Sequence, residues 1–319
     1  MAEGVRGTVL CLMGPTAMGK TEVAMRIADR LPVDLISVDS ALVYRGMNIG
    51  TAKPSPEMLA RYPHALIDIV DPEQPYSVAQ FVQDCTVAIE ASHARGRTPL
   101  LVGGTMLYFK RLLDGLADLP EADADCRREI DAQAQRVGWP GMHLELMRVD
   151  PDAAARIAPN DAQRIQRALE VYRLTGHPIS ALQSNPKKID NDWTVARMAL
   201  LTSDRTVLHE RIQQRFEQMV EAGLVDEVKG LLKRPGVHTD LPSLRAVGYR
   251  QIAAWLAGDC EYEQAIQDAM TATRRLAKRQ HTWLRGMPDI HVFDPLESDP
   301  IGPIFRLCER VLAAETAQI

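Results

Sequence analysis

An α/β protein is the fold class this sequence predicts: a P-loop parallel sheet flanked by helices, with an all-helical insertion domain. Three observations predict it. Short apolar runs alternate with helical patterns at both ends of the chain, a glycine-rich loop stands between one such run and a helix, and strand signal vanishes between Leu113 and Asp192. Parallel pairing follows from the alternation, because a crossover helix carries the chain back to the starting end of the sheet before the next strand begins.

The strand candidates are residues 8–13 (TVLCLM), 34–38, 65–70, 99–102, 196–202 and 290–293. The first is apolar almost throughout, as a strand covered on both faces must be. After it, Val23, Ala24, Ile27 and Leu31 recur at helical spacing over 21–31. A helix over 106–113 follows the fourth strand candidate. Within the strand-free interval the best pattern is 161–175 (DAQRIQRALEVYRLT), where Ile165, Leu169 and Tyr172 share one face and Gly176-His177-Pro178 ends the helix. Residues 205–285 read as mostly helical, with breaks near Pro235 and Gly258. The expected division is 1–119 plus 193–319 for the α/β core and 120–192 for the helical insertion.

Composition bounds the function classes. The chain has 319 residues, 46% hydrophobic and 25% charged, which is the balance of a soluble globular protein large enough for two lobes. A net charge of −5 means that any nucleic-acid site must be a local basic patch. Five scattered cysteines (Cys11, Cys85, Cys126, Cys260, Cys308) form no C-x-x-C pair, and the eight histidines no H-x-x-x-H pair. This argues against zinc or a disulfide framework and fits a reducing compartment. The start, MAEGVRG, has no charged region followed by an apolar run, and no run reaches membrane-spanning length, so a cytoplasmic protein is expected, by default a monomer.

Gly14-Pro15-Thr16-Ala17-Met18-Gly19-Lys20-Thr21 matches the phosphate-cradling pattern G-x-x-x-x-G-K-[ST], in its required context of strand before and helix after. Glycines let backbone N–H groups approach phosphates, and the helix start adds partial positive charge. Lys20 supplies a point charge, and Thr21 a hydroxyl for Mg²⁺. The loop does not say whether the phosphates are hydrolysed, transferred or expelled.

Other candidates are weaker alone. Asp39 ends the second strand candidate, on the side where open α/β sheets bind ligands, and lies near the phosphate loop if the two strands are neighbours. It can serve as general base, Mg²⁺ partner or ribose binder, or cap a helix, with Ser40 an equal cap candidate. Residues 44–53 (YRGMNIGTAK) read as a solvated surface loop as readily as a site. Gly103-Gly104-Thr105 repeats the strand-to-glycine design, and Thr105 can bond a ligand or cap the following helix. Arg164 and Arg167 lie three apart on one helix, clear of its apolar stripe. Arg274, Lys278, His281 and Arg285 form a basic stripe suited to a polyanion, with Ala269, Ala272, Leu276 and Trp283 opposite, Trp283 as a core anchor. Arg211 and Arg215 share a helix whose Leu208, Ile212 and Met219 bury.

Taken together, GPTAMGKT, SVDSALVYRGMNIGTAKPS (37–55), LVGGTMLY (101–108), NDAQRIQRALEVY (160–172), RFEQMVEAGL (215–224), SLRAVGYRQ (243–251) and TRRLAKRQHTWLR (273–285) resemble the bacterial tRNA dimethylallyltransferases, also called tRNA isopentenyltransferases, in order and over nearly the whole chain. Eukaryotic relatives carry a C-terminal zinc finger; the stretch ending VLAAETAQI shows none, so the bacterial form is expected. The resemblance implies transfer of the dimethylallyl group of dimethylallyl diphosphate to N6 of adenosine 37, beside the tRNA anticodon. It implies that residues 14–21 hold the diphosphate, with Mg²⁺ on Thr21, and that Asp39, Lys20, Thr21 and Arg215 carry the chemistry. It further implies that the anticodon stem-loop meets Asp39, Ser40, Ala41, Leu42, Thr105, Arg127, Gln163, Arg164, Ile165, Gln166, Arg167, Arg245, Gly248, Tyr249, Arg250, Arg274, Lys278, Arg279, His281 and Arg285. A channel through the α/β core, entered by RNA and by the small diphosphate from opposite sides, is the family's expectation. A P-loop kinase, a free-adenylate isopentenyltransferase and an RNA-binding regulator are the competing readings.

Overall fold

Gly7–Met13 (β1), Val33–Val38 (β2), His64–Ala65 (β3), Thr98–Gly103 (β4), Trp193–Leu200 (β5) and Ile290–Phe293 (β6) form one sheet in the order β3-β2-β4-β1-β5-β6, with every pairing parallel. This is the arrangement in the computed structural model, which describes residues 7–184, 193–297 and 301–316. β1 lies between β4 and β5 and is buried along its whole length, which is why its sequence is almost wholly apolar. β1 and β2 are not neighbours: β4 stands between them. No helix among the described residues is long and apolar enough to cross a membrane.

The third strand candidate departs from expectation. Only His64–Ala65 pairs as strand, and Leu66 and Asp68 turn through φ +64° and +55°. The apolar residues beyond them pack under the loop after β2 instead: Ile69 N–H donates to Val43 O, and Arg45 N–H donates to Val70 O, at 2.9 and 2.8 Å. A short apolar run satisfies its burial equally well as a strand or as a loop under a neighbour, and periodicity does not separate the two.

The helices are Lys20–Ala28 (α1), Pro56–Arg61 (α2), Val78–Ala94 (α3), Met106–Asp114 (α4), Ala124–Val149 (α5), Pro151–Arg156 (α6), Ala162–Thr175 (α7), Ile179–Gln183 (α8), Arg205–Glu221 (α9), Leu224–Leu232 (α10), Tyr249–Leu256 (α11), Tyr262–Arg285 (α12) and Ile301–Thr316 (α13). The chain separates into two compact units, one of Met1–Lys110 with Asp190–Ile319, the other Arg111–Ile189. The first holds the sheet. One of its apolar clusters joins β1, β4 and β5 to α1 and α13 through residues such as Leu10, Ile27, Met198 and Ile304. A second joins α9–α12 to the stretch after β2 through Met47, Phe216, Leu224 and Tyr249.

The second unit is helical throughout its described secondary structure and has its own core, including Ile130, Met142, Leu146, Ile165 and Leu169. Its longest element, α5, is two helices meeting at Gly138, whose φ of +72° a side chain would resist, with Pro140 opening the second. Asp161 caps α7 by accepting the Arg164 N–H, and Gly176 in the left-handed region closes the helix, the end that the sequence predicted. Ile165 and Leu169 bury, as predicted from their shared face, and Tyr172 is half-buried.

Candidate active site

The loop after β1 is shaped for anions by its backbone. Ala17 and Gly19 both take left-handed φ values, +64° and +78°, the kind of backbone from which anion-binding concavities of successive N–H groups are built. Gly19 is the N-cap of α1 and offers no side-chain cap, so the first amides of that helix stay available to a ligand. Gly14 must be glycine on space alone, since a Cβ there would meet Leu200 O at 2.9 Å. Lys20 opens α1 and donates from Nζ to Pro15 O at 2.7 Å. Burial and the Arg215 guanidinium push its pKa down to about 8, against the opposing pull of Asp39. Arg215, on α9, is itself held below its ordinary value by burial while Asp39 opposes the shift. One carboxylate and two desolvated cations therefore sense each other at the carboxyl end of the sheet. Arg211 is half-buried on the same helix, whose Leu208 and Ile212 bury as expected, with Met219 only partly covered.

Asp39 reaches this place across an intervening strand, and two glycines make that approach feasible. A Cβ on Gly103 would stand 2.0 Å from Val38 O, and one on Gly104 would stand 2.6 Å from Gln280 Nε2 and 3.2 Å from Gly14 O. The end of β4 is thus stripped of side chain exactly where β2 closes on it from one side and the phosphate loop from the other. Thr105 fastens the junction: its N–H donates to Val38 O at 3.3 Å, and its hydroxyl accepts the Ser40 N–H at 3.1 Å. The hydroxyl therefore serves the chain after Asp39. Substituting Gly103→Ala, which forces the Val38 carbonyl away, is expected to cut turnover at least about tenfold, since an ångström of misplacement costs that order or more; steady-state kinetics beside a thermal melt checks it.

Asp39 caps no helix, because the residues after it form a turn and not a helix; its two oxygens are instead used differently. Oδ1 accepts the N–H groups of Ala41 at 2.8 Å and Leu42 at 3.3 Å, which caps that turn. Among the described residues Oδ2 has no hydrogen bond, which leaves it available as an acceptor.

The residue that sequence reasoning missed is Gln280. Its Nε2 donates to Gly104 O at 2.8 Å, and its Oε1 accepts the Thr16 N–H at 3.1 Å. Thr16 was expected among the diphosphate-binding residues, but its amide is already committed here. The signal was present as a glutamine in register with Ala269, Ala277 and Leu284, the residues α12 buries. Trp283 is not the core anchor expected of it: it is 42% exposed, because the buried face of α12 is rotated away from the Ala272–Leu276–Trp283 side. Lys278, Arg279 and Arg285 are exposed. His281 differs from them, since burial and the nearby Arg285 and Arg205 lower its pKa below the ordinary histidine value, so it adds no charge near neutral pH. Arg274 is half-buried, and its Nε lies buried without a partner among the described residues.

The loop over 44–53 is not a solvated surface loop. Tyr44 and Met47 are buried, and Lys53 Nζ bonds Tyr44 O at 2.8 Å and Asp68 at 2.5 Å. The Glu227 carboxylate accepts the N–H groups of Asn48, Ile49 and Gly50 and the Tyr249 hydroxyl. Tyr249 and Gly248, both expected at RNA, are buried, and the tyrosine hydroxyl is spent on Glu227, whereas Arg245 and Arg250 are exposed.

In the helical unit, the fully buried carboxylate of Glu170 gathers two of the expected RNA contacts. Arg127 Nε donates to Oε1 at 2.8 Å, and Arg167 donates to Oε2 at 2.7 Å, so both guanidinium groups are held by structure. Gln166 bonds Asp131 at 2.6 Å, and the Ile165 side chain is sealed in the core. Gln163 and Arg164 remain exposed.

Comparison with known proteins gives one answer. A family model described as IPP transferase matches residues 42–287. The chain is 53% identical to the tRNA dimethylallyltransferase of Burkholderia lata, over 97% of this chain and 96% of that one. It is also 53% identical to that of Methylobacillus flagellatus, over 95% and 96%. Among solved structures it is similar to a full-length tRNA isopentenylpyrophosphate transferase of Bacillus halodurans, with TM-score 0.71 at 39% identity over 98% of both chains. It is also similar to a eukaryotic dimethylallyltransferase acting on tRNA, with TM-score 0.72 at 27% identity over 91% of this chain and 74% of that one.

Proposed function

The chain belongs to the IPP transferase family, and from that premise we propose that it transfers the dimethylallyl group of dimethylallyl diphosphate to N6 of adenosine 37 of tRNA, releasing diphosphate. The observation that carries the reading is the anion-shaped loop after β1, with Lys20 opening the helix behind it and the Asp39 carboxylate acting electrostatically on both Lys20 and Arg215. An adenine amine is a weak nucleophile because its lone pair is delocalised into the ring. The carbon it attacks is allylic, so positive charge builds there as the C–O bond breaks. A catalyst for this step must stabilise a departing diphosphate and remove one amine proton.

The residues supply both. The N6 lone pair forms the new C–N bond, the C–O bond breaks with its electron pair leaving on the diphosphate, and the amine proton passes to Asp39 Oδ2. The loop amides from Ala17 onward, Lys20 and Arg215 hold the growing negative charge with donors fixed in place before the reaction. A Mg²⁺ ion suits the donor chemistry beside them, where Thr21 exposes its hydroxyl in the first turn of α1 next to an anion cradle. When bound it supplies charge neutralisation to the leaving group.

The target base must leave its stack to reach a loop at a sheet end, and single-stranded RNA loops allow this at modest cost. Within the α/β unit, exposed Arg245, Arg250, Lys278, Arg279 and Arg285 contact the RNA backbone; within the helical unit, Gln163 and Arg164 do so and grip the anticodon stem-loop. Asp39, Ser40, Ala41, Leu42 and Thr105 line the approach of the base. Radiolabelled dimethylallyl diphosphate offered with unmodified tRNA, with AMP and with ATP alone tests the assignment: label is expected on tRNA only, and label on AMP or ATP turnover without tRNA overturns it. In the same experiment tRNA affinity is expected to fall roughly tenfold or more between about 50 and 200 mM salt, as a handful of phosphate contacts requires.

A further inference from the structure

We propose that Gln280 is a positioning residue for the diphosphate cradle: one carboxamide from α12 holds the phosphate loop in its anion-binding shape by joining Thr16 to Gly104. The inference rests on the assignment of residues 14–21 as the diphosphate site.

Geometry supports it from both ends. Gln280, a residue only 9% exposed, accepts from Thr16 N–H at 3.1 Å and donates to Gly104 O at 2.8 Å. A neutral carboxamide is suited to this place because it carries a donor and an acceptor on one planar group; a carboxylate of the same shape keeps the acceptor and loses the donor. The space around it is made to measure, since any Cβ on Gly104 would lie 2.6 Å from Nε2. Thr16 is separated from Gln280 by 264 positions in sequence and directly precedes Ala17, whose left-handed φ of +64° starts the turn of amides. Pinning the Thr16 amide to Gln280 fixes the direction from which the next amides project. A preorganised cradle binds its anion without paying to order the loop first. Gln280 thus acts through the loop and does not itself meet the diphosphate.

The test uses the full-length protein with Gln280→Glu, Gln280→Leu and Gly104→Ala. Inorganic diphosphate with Mg²⁺ is titrated calorimetrically, and KM is measured separately for dimethylallyl diphosphate and for tRNA. All three variants are expected to weaken diphosphate binding about tenfold or more and to raise KM for dimethylallyl diphosphate similarly, with KM for tRNA within about twofold. Diphosphate affinity within about twofold of the parent in the isosteric Gln280→Glu protein overturns the inference. Parallel loss of diphosphate and tRNA affinity with a lowered melting temperature also overturns it, since that is what a merely structural role would give. Failure of the parent protein to bind diphosphate would instead sink the functional assignment, so the two failures are separable.

Discussion

Asp39→Asn is expected to cut tRNA prenylation about 10²–10⁴-fold in kcat while leaving the melting temperature within a degree or two. The division of labour between its two oxygens makes the experiment selective. Oδ1 carries the structural duty, accepting the Ala41 and Leu42 amides, and the carboxamide oxygen of asparagine can accept both. The second position becomes an NH₂ group, which donates and cannot take a proton from the adenine amine. An alanine at 39 would remove both functions and confound them, because the turn would lose its cap as well. Binding of tRNA and of dimethylallyl diphosphate is expected to survive the Asn substitution with small changes in KM. An unchanged kcat with normal folding would show that the proton leaves by another route.

Lys20→Met is expected to lower turnover about 10²–10³-fold and to raise the melting temperature together. The opposed signs follow from one fact. The Lys20 pKa falls from 10.5 to about 8, chiefly because burial strips water from the ammonium and secondarily because Arg215 repels it. The unfolded chain keeps its proton up to the higher value, so between about pH 8 and 10.5 the unfolded state binds more protons and folding stability gains as pH rises. Below that window the buried charge is a standing cost to the fold, which a neutral methionine of similar length removes. The same shift dictates the activity profile of the wild type. Free enzyme loses the Lys20 proton as pH passes about 8, so kcat/KM for dimethylallyl diphosphate is expected to decline above that value. Once the anion is seated its charge favours the ammonium, so kcat should hold to higher pH. A kcat/KM profile flat to pH 9.5, or a Met variant that melts lower than the parent, would remove Lys20 from this role.

The corner of the fold that holds Lys20 and Arg215 is closely packed at three glycines. The phosphate loop meets the β5 end at Gly14, the β4 end meets the β2 end at Gly103, and the Gln280 carboxamide fills the space beside Gly104, so none of the three has room for a Cβ. Each glycine lies at a junction where a neighbouring backbone or side-chain amide occupies the missing atom's volume. A site that must hold desolvated charge needs such rigidity, because a looser one would relax, admit water and lose the electrostatic strength that makes the charges useful.

Much of the architecture was legible from local pattern. β1, β2, β4, β5 and β6 fall where apolar runs stand in the sequence, α7 ends at its Gly176 signal, and GPTAMGKT lies between strand and helix. These are properties of neighbours along the chain: period, cap and turn are written within a few residues of each other. What the sequence withheld was which partner each polar group would find. Arg127 and Arg164 look alike as letters, yet one is held by the buried Glu170 and the other faces water. Trp283 and Leu284 are adjacent, and only the packing of α12 against its neighbours decided that the leucine would bury. The electrostatic action of Asp39 on Lys20 across an intervening strand, and the tie from Gln280 to Thr16 over 264 positions, belong to the tertiary structure alone. A hydrogen bond between distant residues leaves no period in the sequence, because its geometry is set by the packing of whole elements and not by the spacing of the residues that make it.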